Sequence, residues 1–337
     1  MSQKHTVISP ANIAFVKYWG ARDLERAIPV QPSISMTLRN AVSHTTVEAS
    51  DASGPDEVLV AAEDGTLAPA PPAFQERILP HLERLRQRAG STAALKVATR
   101  NSFPSAAGIA SSASGFSALT LATAGALGLH LEPREASVLA RLSGSGSASR
   151  SVMGGYVEWP VASHGEESDE AAAAQIADAG HWQLADVIVL VETGPKDVSS
   201  LGGHRRATTS PHFARRQELL PGRLEAVRDA IRRRDLDALG PVVEEEAVEL
   251  HLITMSSKPP IFYWQPATLA VMEAVRRLRE EGLSAWYTMD AGANVHVICE
   301  ETAAAAVASE LRGVPGVRGI LPDGVGAGPR VSDEDLF

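Results

Sequence analysis

The sequence predicts an α+β protein of two domains rather than a doubly wound parallel sheet. Three observations lead there. At 337 residues the chain exceeds what a single hydrophobic core ordinarily fills. Strand-like and helix-like stretches are mixed in both halves without strict alternation. An acidic, low-complexity segment, "GEESDEAAAAQIADAG" (165–180), lies between them and puts the boundary at its end, giving domains of 1–181 and 182–330.

Along the chain, "HTVISPANIAFVKYW" (5–19), "SHTTVEAS" (43–50), "EVLVAA" (57–62) and "AALKVATR" (93–100) read as strands. Proline-rich "GTLAPAPPAF" (65–74) reads as a surface loop. It leads into "QERILPHLERLRQRAG" (75–90), a helix interrupted by Pro80 and closed by Gly90. "FSALTLATAGALGLHL" (116–131) is small or apolar on every side, hence a buried helix, with Gly128 suited to its C-terminal end. In "EPREASVLARLSGSG" (132–146), Pro133 falls near the first helical position and Glu135 in the first turn. The acidic segment is expected as an exposed loop or short solvated helix.

The second half opens on the strand "WQLADVIVLVE" (182–192). Helical stretches follow at 210–235, 236–255 and 266–282, then the hairpin "AWYTMDAGANVHVICE" (285–300). The helix "TAAAAVASELRG" (302–313) and the short strand "VRGILP" (317–322) precede an acidic tail, "VSDEDLF" (331–337), expected to fray. "VVEEEAVEL" (242–250) reads as a solvated helix face with no chemistry.

Composition narrows the function. A formal net charge of −10 argues against a nucleic-acid surface, though small anions respond to local fields. The start "MSQKHTVISP" has no apolar targeting region, and no run would span a bilayer, so a cytoplasmic protein is expected. The single cysteine, Cys299, in the apolar run "VHVIC", reads as a buried small hydrophobe. The ten histidines form no recognisable metal-ligand spacing.

Four stretches could carry chemistry. "FPSAAGIASSASG" (103–115) lies between a strand and a buried helix, where backbone N–H groups and the helix dipole can meet a phosphate. It is not a Walker loop, because Phe116 stands where lysine would be needed, and close helix–sheet packing explains small residues equally well. "SGSGSASRS" (143–151) ends in a lone Arg150, suited to capturing a carboxylate or phosphate. "MDAGAN" (289–294) taken alone is turn chemistry, and Lys17 in "NIAFVKYWG" taken alone is an outward-facing strand lysine. Together they offer a phosphate cradle, an arginine, a lysine and a carboxylate, a set that suits phosphoryl transfer to a substrate hydroxyl.

The set resembles the diphosphomevalonate decarboxylase family of the GHMP kinase superfamily. The resemblance runs from about Ala11 to about Cys299 through "ANIAFVKYWG", "PSISMTL", "FPSAAGIASSASGF", "SGSGSASRSVMGGYVEW", "KDVSS", "KPPIFY" and "YTMDAGAN". It implies a two-domain GHMP kinase fold: a ribosomal S5 domain 2-like N-terminal domain, a ferredoxin-like C-terminal domain, and the active site in the cleft between them. It implies an ATP phosphate-binding loop with Ser105, Ala106, Ala107, Gly108, Ala110, Ser111 and Ser112, with Ser199 also on the nucleotide and Mg²⁺ near Ser112. Asp290 would take the proton of the substrate's C3 hydroxyl, Lys17 would stand beside it, and Arg150 would hold the substrate carboxylate. Tyr18, Trp19, Ser145, Ser147 and Ala291 would contact the substrate, and Arg77 its phosphate end. A cytoplasmic homodimer acting on ATP and a phosphorylated mevalonate, with neither nucleic acid nor membrane as partner, is the corresponding expectation.

Two positions depart from the family pattern. Ala21 replaces a lysine that meets the substrate diphosphate, and Ala27 replaces an asparagine. Arg22 or Arg26 would have to compensate, or the substrate is mevalonate 5-phosphate instead of the 5-diphosphate; both stand open. A mevalonate 3-kinase without decarboxylation is the alternative activity, and a degenerate nucleotide-binding scaffold the non-enzymatic one.

Overall fold

Two long strands organise the N-terminal half. β1 (Gln3–Val16) and β4 (Ser33–Ala49) pair antiparallel from Gln3 opposite Ala49 to Val16 opposite Ile34. The computed structural model describes residues 3–50, 53–62, 64–104, 111–160, 171–194 and 197–337. Between the long strands the chain makes a small hairpin, β2 (Ala21–Asp23) with β3 (Ile28–Pro29). β5 (Glu57–Ala61), β6 (Leu67–Pro69) and β7 (Leu95–Asn101) widen the sheet, β5 lying parallel to β7.

Helices α1 (Pro72–Ala89) and α2 (Ser111–Ala126) cover one face of this sheet, burying Ile78, Leu82, Phe116 and Leu119 against Val47, Val58 and Val97. α2 is buried all round as its sequence predicts, and Gly128 follows it with φ +71. α3 (Pro133–Arg141) and the single turn α4 (Ala148–Ser151) lead to β8 (Tyr156–Trp159), which pairs with β4 and with β9 (Ala174–Ala177).

The C-terminal half is a four-stranded antiparallel sheet, in the order β11 (Ala285–Thr288), β12 (Val295–Glu300), β10 (Leu184–Leu190), β13 (Gly319–Gly324). Period-two alternation divides its side chains: Val187, Val189, Val295 and Val297 pack under α8 (Pro266–Glu280) and α9 (Ala304–Arg312). Leu184, Ile188 and Ile298 turn the other way, toward α6 (Phe213–Arg233) and α7 (Leu236–Met255). There they join Ile13, Phe15, Ile34 and Met36 of the first sheet in one buried cluster. The two domains therefore share a core, which fixes the geometry of the cleft between them. A short helix, α5 (Ser200–Arg206), which the sequence does not signal, sits at that cleft.

Several expectations need correction. α1 begins at Pro72 and runs unbroken through Pro80. Pro80 is exposed, and burial of Ile78, His81, Leu82 and Leu85 around it outweighs the one helical hydrogen bond it removes. The proline-rich loop contributes the edge strand β6. In the acidic segment, residues 165–170 lie outside the described ones, but Ala171–Ala173 are buried and 174–177 form β9, so its second half is sheet. The tail is docked rather than frayed. β14 (Arg330–Val331) pairs with β1, Lys4 Nζ donates to the Phe337 carbonyl at 2.6 Å, and Leu336 N donates to Thr46 Oγ1 at 3.0 Å. Lys4 and Lys96 lie 4.9 and 4.5 Å from the Phe337 ring centroid.

Deleting residues 332–337 should lower stability by roughly 1–3 kcal/mol, because Thr6, His44 and Thr46 lose partners at once. Urea unfolding of the truncated chain checks this; an unchanged midpoint would mean the tail contacts add nothing.

Candidate active site

β1 ends at Val16, and the next residue, Lys17, turns its side chain into the interior between the domains. Its Nζ donates to Asp290 Oδ1 at 2.9 Å and to the Ala14 carbonyl at 2.6 Å. Asp290 comes from the other domain, in the link between β11 and β12. The lysine side chain is 1% exposed and the aspartate 27%, so the carboxylate faces the cleft with the ammonium behind it. Burial pushes the Asp290 carboxyl up, but the Lys17 ammonium, its hydrogen bond and Arg150 outweigh that and hold it below the ordinary value. It is ionised at neutral pH, as a base must be. Burial pulls Lys17 below its ordinary value, opposed by the charges of Asp290 and Glu246.

Glu246 overturns the expectation of a solvated face at 242–250. Its side chain is 0% exposed, on the α7 stripe with Leu239, Val243, Ala247 and Leu250. Oε2 accepts from the Lys17 backbone N–H at 2.9 Å and from Arg216 Nη2 at 2.6 Å, and Oε1 accepts from Arg223 Nη1 at 2.7 Å. Arg216 Nη2 also donates to the Lys17 carbonyl at 2.9 Å. A buried ion pair thus grips both polar groups of the Lys17 backbone, fixing where that side chain starts.

Arg150 is held in the opposite manner. It is 2% exposed, and its partners are neutral: Nη1 donates to Ser33 Oγ at 2.6 Å, Nε to Ser35 Oγ at 3.0 Å and Nη2 to Asn12 Oδ1 at 3.2 Å. Among the described residues no carboxylate forms a salt bridge to it. Burial pulls its pKa down to about 10, so it stays charged at neutral pH. Asp290 acts on it through space without a direct ion pair, so a bound anion in hydrogen-bond reach would offset more of its burial cost.

Three connected hollows surround these groups. A pocket of about 80 Å³ is lined by Lys17, Tyr18, Trp19, Ser147, Arg150, Asp290 and Ala291, together with Ser112 and His204. Beside it a chamber of about 550 Å³ takes in Arg77, Ser111, Ser112, Ser145, Ser147, Ser199 and His204. The third, about 460 Å³, lies between α1, α2 and the sheet, with Val60, Phe74, Arg77, Val97, Ser111 and Ser112 on its walls. Ser112 borders all three, at the N-terminal end of α2, where the helix dipole favours an anion.

Of the residues singled out in the sequence, Lys17, Tyr18, Trp19, Arg77, Ser111, Ser112, Ser145, Ser147, Arg150, Asp290 and Ala291 line these hollows. Ser199, expected on the nucleotide, caps α5 and lines the chamber. Ser105, Ala106, Ala107, Gly108 and Ala110 lie outside the described residues. Ala27 adopts φ +49 on the chamber wall, a left-handed conformation that asparagine tolerates better than alanine. Sequence reasoning missed Asn12, Ser33, Ser35, Glu246 and His204. Period-two spacing of Ser33 and Ser35, and the apolar period around Glu246, were the available signals.

No group of three or more His, Cys, Asp or Glu among the described residues could hold a metal ion by itself. The donor set fits a magnesium ion only as one carried by nucleotide phosphates, with the Ser111 and Ser112 hydroxyls at hand.

A charged two-domain cleft with an ionised carboxylate, a lysine behind it and a helix N-terminus on the same pocket is the arrangement of an enzyme active site and has the parts that phosphoryl transfer uses. Residues 9–172 match the family model for a diphosphomevalonate decarboxylase-like N-terminal domain, and 186–319 that for a mevalonate 5-diphosphate decarboxylase C-terminal domain. The chain is 34% identical over 330 residues to diphosphomevalonate decarboxylase mvd1 of Aspergillus fumigatus, covering 92% of this chain and 80% of that protein. The Staphylococcus aureus mevalonate diphosphate decarboxylase structure superposes with a TM-score of 0.90 at 30% identity, covering 99% of both chains. A solved complex of MDDEF with MVAPP, AMPPCP and magnesium gives 0.88 at 33% identity, over 99% of this chain and 100% of that one. This chain belongs to the diphosphomevalonate decarboxylase family.

Glu246→Gln removes one partner of a buried pair and should cost about 3 kcal/mol in denaturant unfolding. It also removes a negative charge that keeps Lys17 protonated. Activity that needs the ammonium is lost as pH rises through the Lys17 pKa, so the alkaline limb of the pH–rate profile should move to lower pH. A limb that stays in place would separate Glu246 from Lys17 ionisation.

Proposed function

We propose that this protein catalyses the ATP-dependent decarboxylation of a 5-phosphorylated mevalonate in isoprenoid biosynthesis. Mevalonate 5-diphosphate would give isopentenyl diphosphate, and the 5-phosphate isopentenyl phosphate, each with ADP, phosphate and CO₂. The observation that carries this reading is the buried Arg150, charged and salt-bridged to no carboxylate among the described residues, opening on the same 80 Å³ pocket as the ionised Asp290. A substrate carboxylate supplies that direct partner and brings its neighbouring C3 hydroxyl to the base.

In this reading Asp290 accepts the C3 hydroxyl proton as that oxygen bonds to the γ-phosphorus of ATP, and ADP leaves. Lys17 stabilises the charge that develops beside Asp290. The substrate's original C3–O bond then breaks, its electron pair leaving with the phosphate. The C–CO₂ bonding pair becomes the alkene π bond as CO₂ departs, while Arg150 holds the carboxylate in line until then. The Ser111 and Ser112 hydroxyls would help hold a nucleotide-borne magnesium ion, which would supply charge neutralisation at the phosphates. ATP would lie in the hollow between α1 and α2 with its γ-phosphate at Ser112, the residue common to all three hollows.

The related proteins carry the decarboxylase name, and the 3-kinase alternative is set aside. Mevalonate 5-diphosphate is the first substrate to test, since the relatives are named for it; Ala21, and Arg77 as the one guanidinium on the chamber wall among the described residues, favour trying the 5-phosphate beside it. The domain limits 1–181 and 182–330, the homodimer and the cytoplasmic location are part of this proposal. Among the described residues, no helix is long and apolar enough to cross a membrane.

Steady-state turnover with ATP and Mg²⁺ on both substrates, following ADP and CO₂ together, tests the activity. Equal release of the two products supports decarboxylation, and ADP without CO₂ contradicts it. Asp290→Asn should lower kcat by a factor on the order of 10³ or more with ATP binding retained. A variant that keeps most of its turnover would remove Asp290 from the role of base. Arg150→Ala should damage CO₂ release far more than ATP affinity; equal damage to both would mean that Arg150 does not hold the carboxylate.

A further inference from the structure

His204 lines the cleft, and the mechanism gives it no task. It stands on α5, between the rings of Tyr18 and Trp19, with centroid distances of 4.3 and 4.7 Å. The backbone N–H of Gly20 donates to its Nδ1 at 3.0 Å. A ring nitrogen that accepts carries no proton, so this imidazole is neutral, with its hydrogen on Nε2. Burial acts in the same direction, pulling the pKa to about 3. The Gly20 N–H is itself fixed in place. Gly20 has φ +92, and a Cβ there would lie 2.7 Å from the Phe213 ring, so glycine alone suits that turn.

The remaining polar atom of the ring has no acceptor among the described residues. His204 nevertheless borders both the ion-pair pocket and the chamber beside it. With Nδ1 engaged, Nε2–H is the only hydrogen-bonding group the ring can offer to either. Among the described residues, the side chains on the chamber wall that can donate hydrogen bonds are otherwise serines, Tyr18 and Arg77. Such a set recognises phosphoryl oxygens, which accept hydrogen bonds and are only partly balanced by one cation.

We propose that His204 is a specificity-determining, substrate-binding residue that donates Nε2–H to the 5-phosphoryl group of the substrate. The proposal rests on the function given above and names the group that reads the end of the substrate remote from the chemistry. Because the donor is neutral, it orients a phosphoryl oxygen without adding charge, and Arg77 supplies the cation. Substrate binding therefore does not follow an imidazole titration.

Two substitutions separate the hydrogen bond from the stacking. His204→Phe keeps an aromatic ring between Tyr18 and Trp19 and removes the donor, whereas His204→Gln restores a side-chain N–H. Both are assayed beside the wild type with ATP on the 5-diphosphate and the 5-phosphate. His204→Phe should raise KM for the phosphorylated mevalonate about tenfold or more, with KM for ATP within about twofold, and His204→Gln should recover most of the loss. KM between pH 6 and 8.5 should follow the same curve in wild type and His204→Gln. Should His204→Phe not fold, His204→Met provides a flexible donor-free side chain for the same comparison. An unchanged substrate KM in the donor-free variant overturns the proposal, as does an equal rise in KM for ATP or a glutamine variant no better than the phenylalanine one. Wild-type turnover with an unaffected donor-free variant removes this inference alone; no wild-type turnover on either substrate removes the function and this inference together.

Discussion

The contact between Lys17 and Asp290 joins the two domains at the point where the chemistry is done. Neither residue works from its own domain alone. The ammonium is buried at the end of β1, and the carboxylate that makes its burial tolerable arrives from the turn between β11 and β12. The shared core of Ile13, Phe15, Ile34, Ile188, Leu224 and Val243 holds the two segments so that Lys17 Nζ and Asp290 Oδ1 meet at 2.9 Å. Stability and function thus meet in one requirement: the domains must stay packed for the base to stay ionised.

Two further arginines are buried nearby, and the structure treats them in opposite ways. Arg216 is neutralised by Glu246, and the pair serves as a rigid bracket for the Lys17 backbone. Arg150 donates to hydroxyl and amide oxygens, which satisfy its hydrogen bonds, and Asp290 balances its charge only through space. The physical difference decides what each can do. A balanced pair positions, and a cation without a direct ion pair binds an anion.

Much of this was legible in the sequence because some residue types are informative wherever they fall. A lone lysine at the end of an apolar strand, an arginine among serines and an aspartate in a glycine turn pointed to phosphoryl transfer before any geometry was known. The strands at β1, β5, β7 and β10 and the helices at α2, α6, α7 and α8 followed from period and capping. What escaped depends on partners distant in sequence. Glu246 lies 229 residues from the backbone N–H it accepts from, so three consecutive glutamates looked solvated. The tail looked free because its partners, Lys4, Thr46 and Lys96, lie near the other end of the chain and on strands within the sheet. Pro80 looked like a break because local rules cannot weigh the packing of Ile78, Leu82 and Leu85 beneath it.

The claim at the centre is that Lys17 keeps Asp290 ionised in a buried site. Carbon-13 NMR of the protein labelled at aspartate carboxyls, with Asp290 assigned by its loss in Asp290→Asn, measures this directly. The account predicts that the Asp290 carboxyl titrates below the ordinary aspartate value of about 3.9 in the wild type and moves clearly above it in Lys17→Met, where burial acts unopposed by the ammonium. An Asp290 titration unaffected by the loss of Lys17 would contradict it.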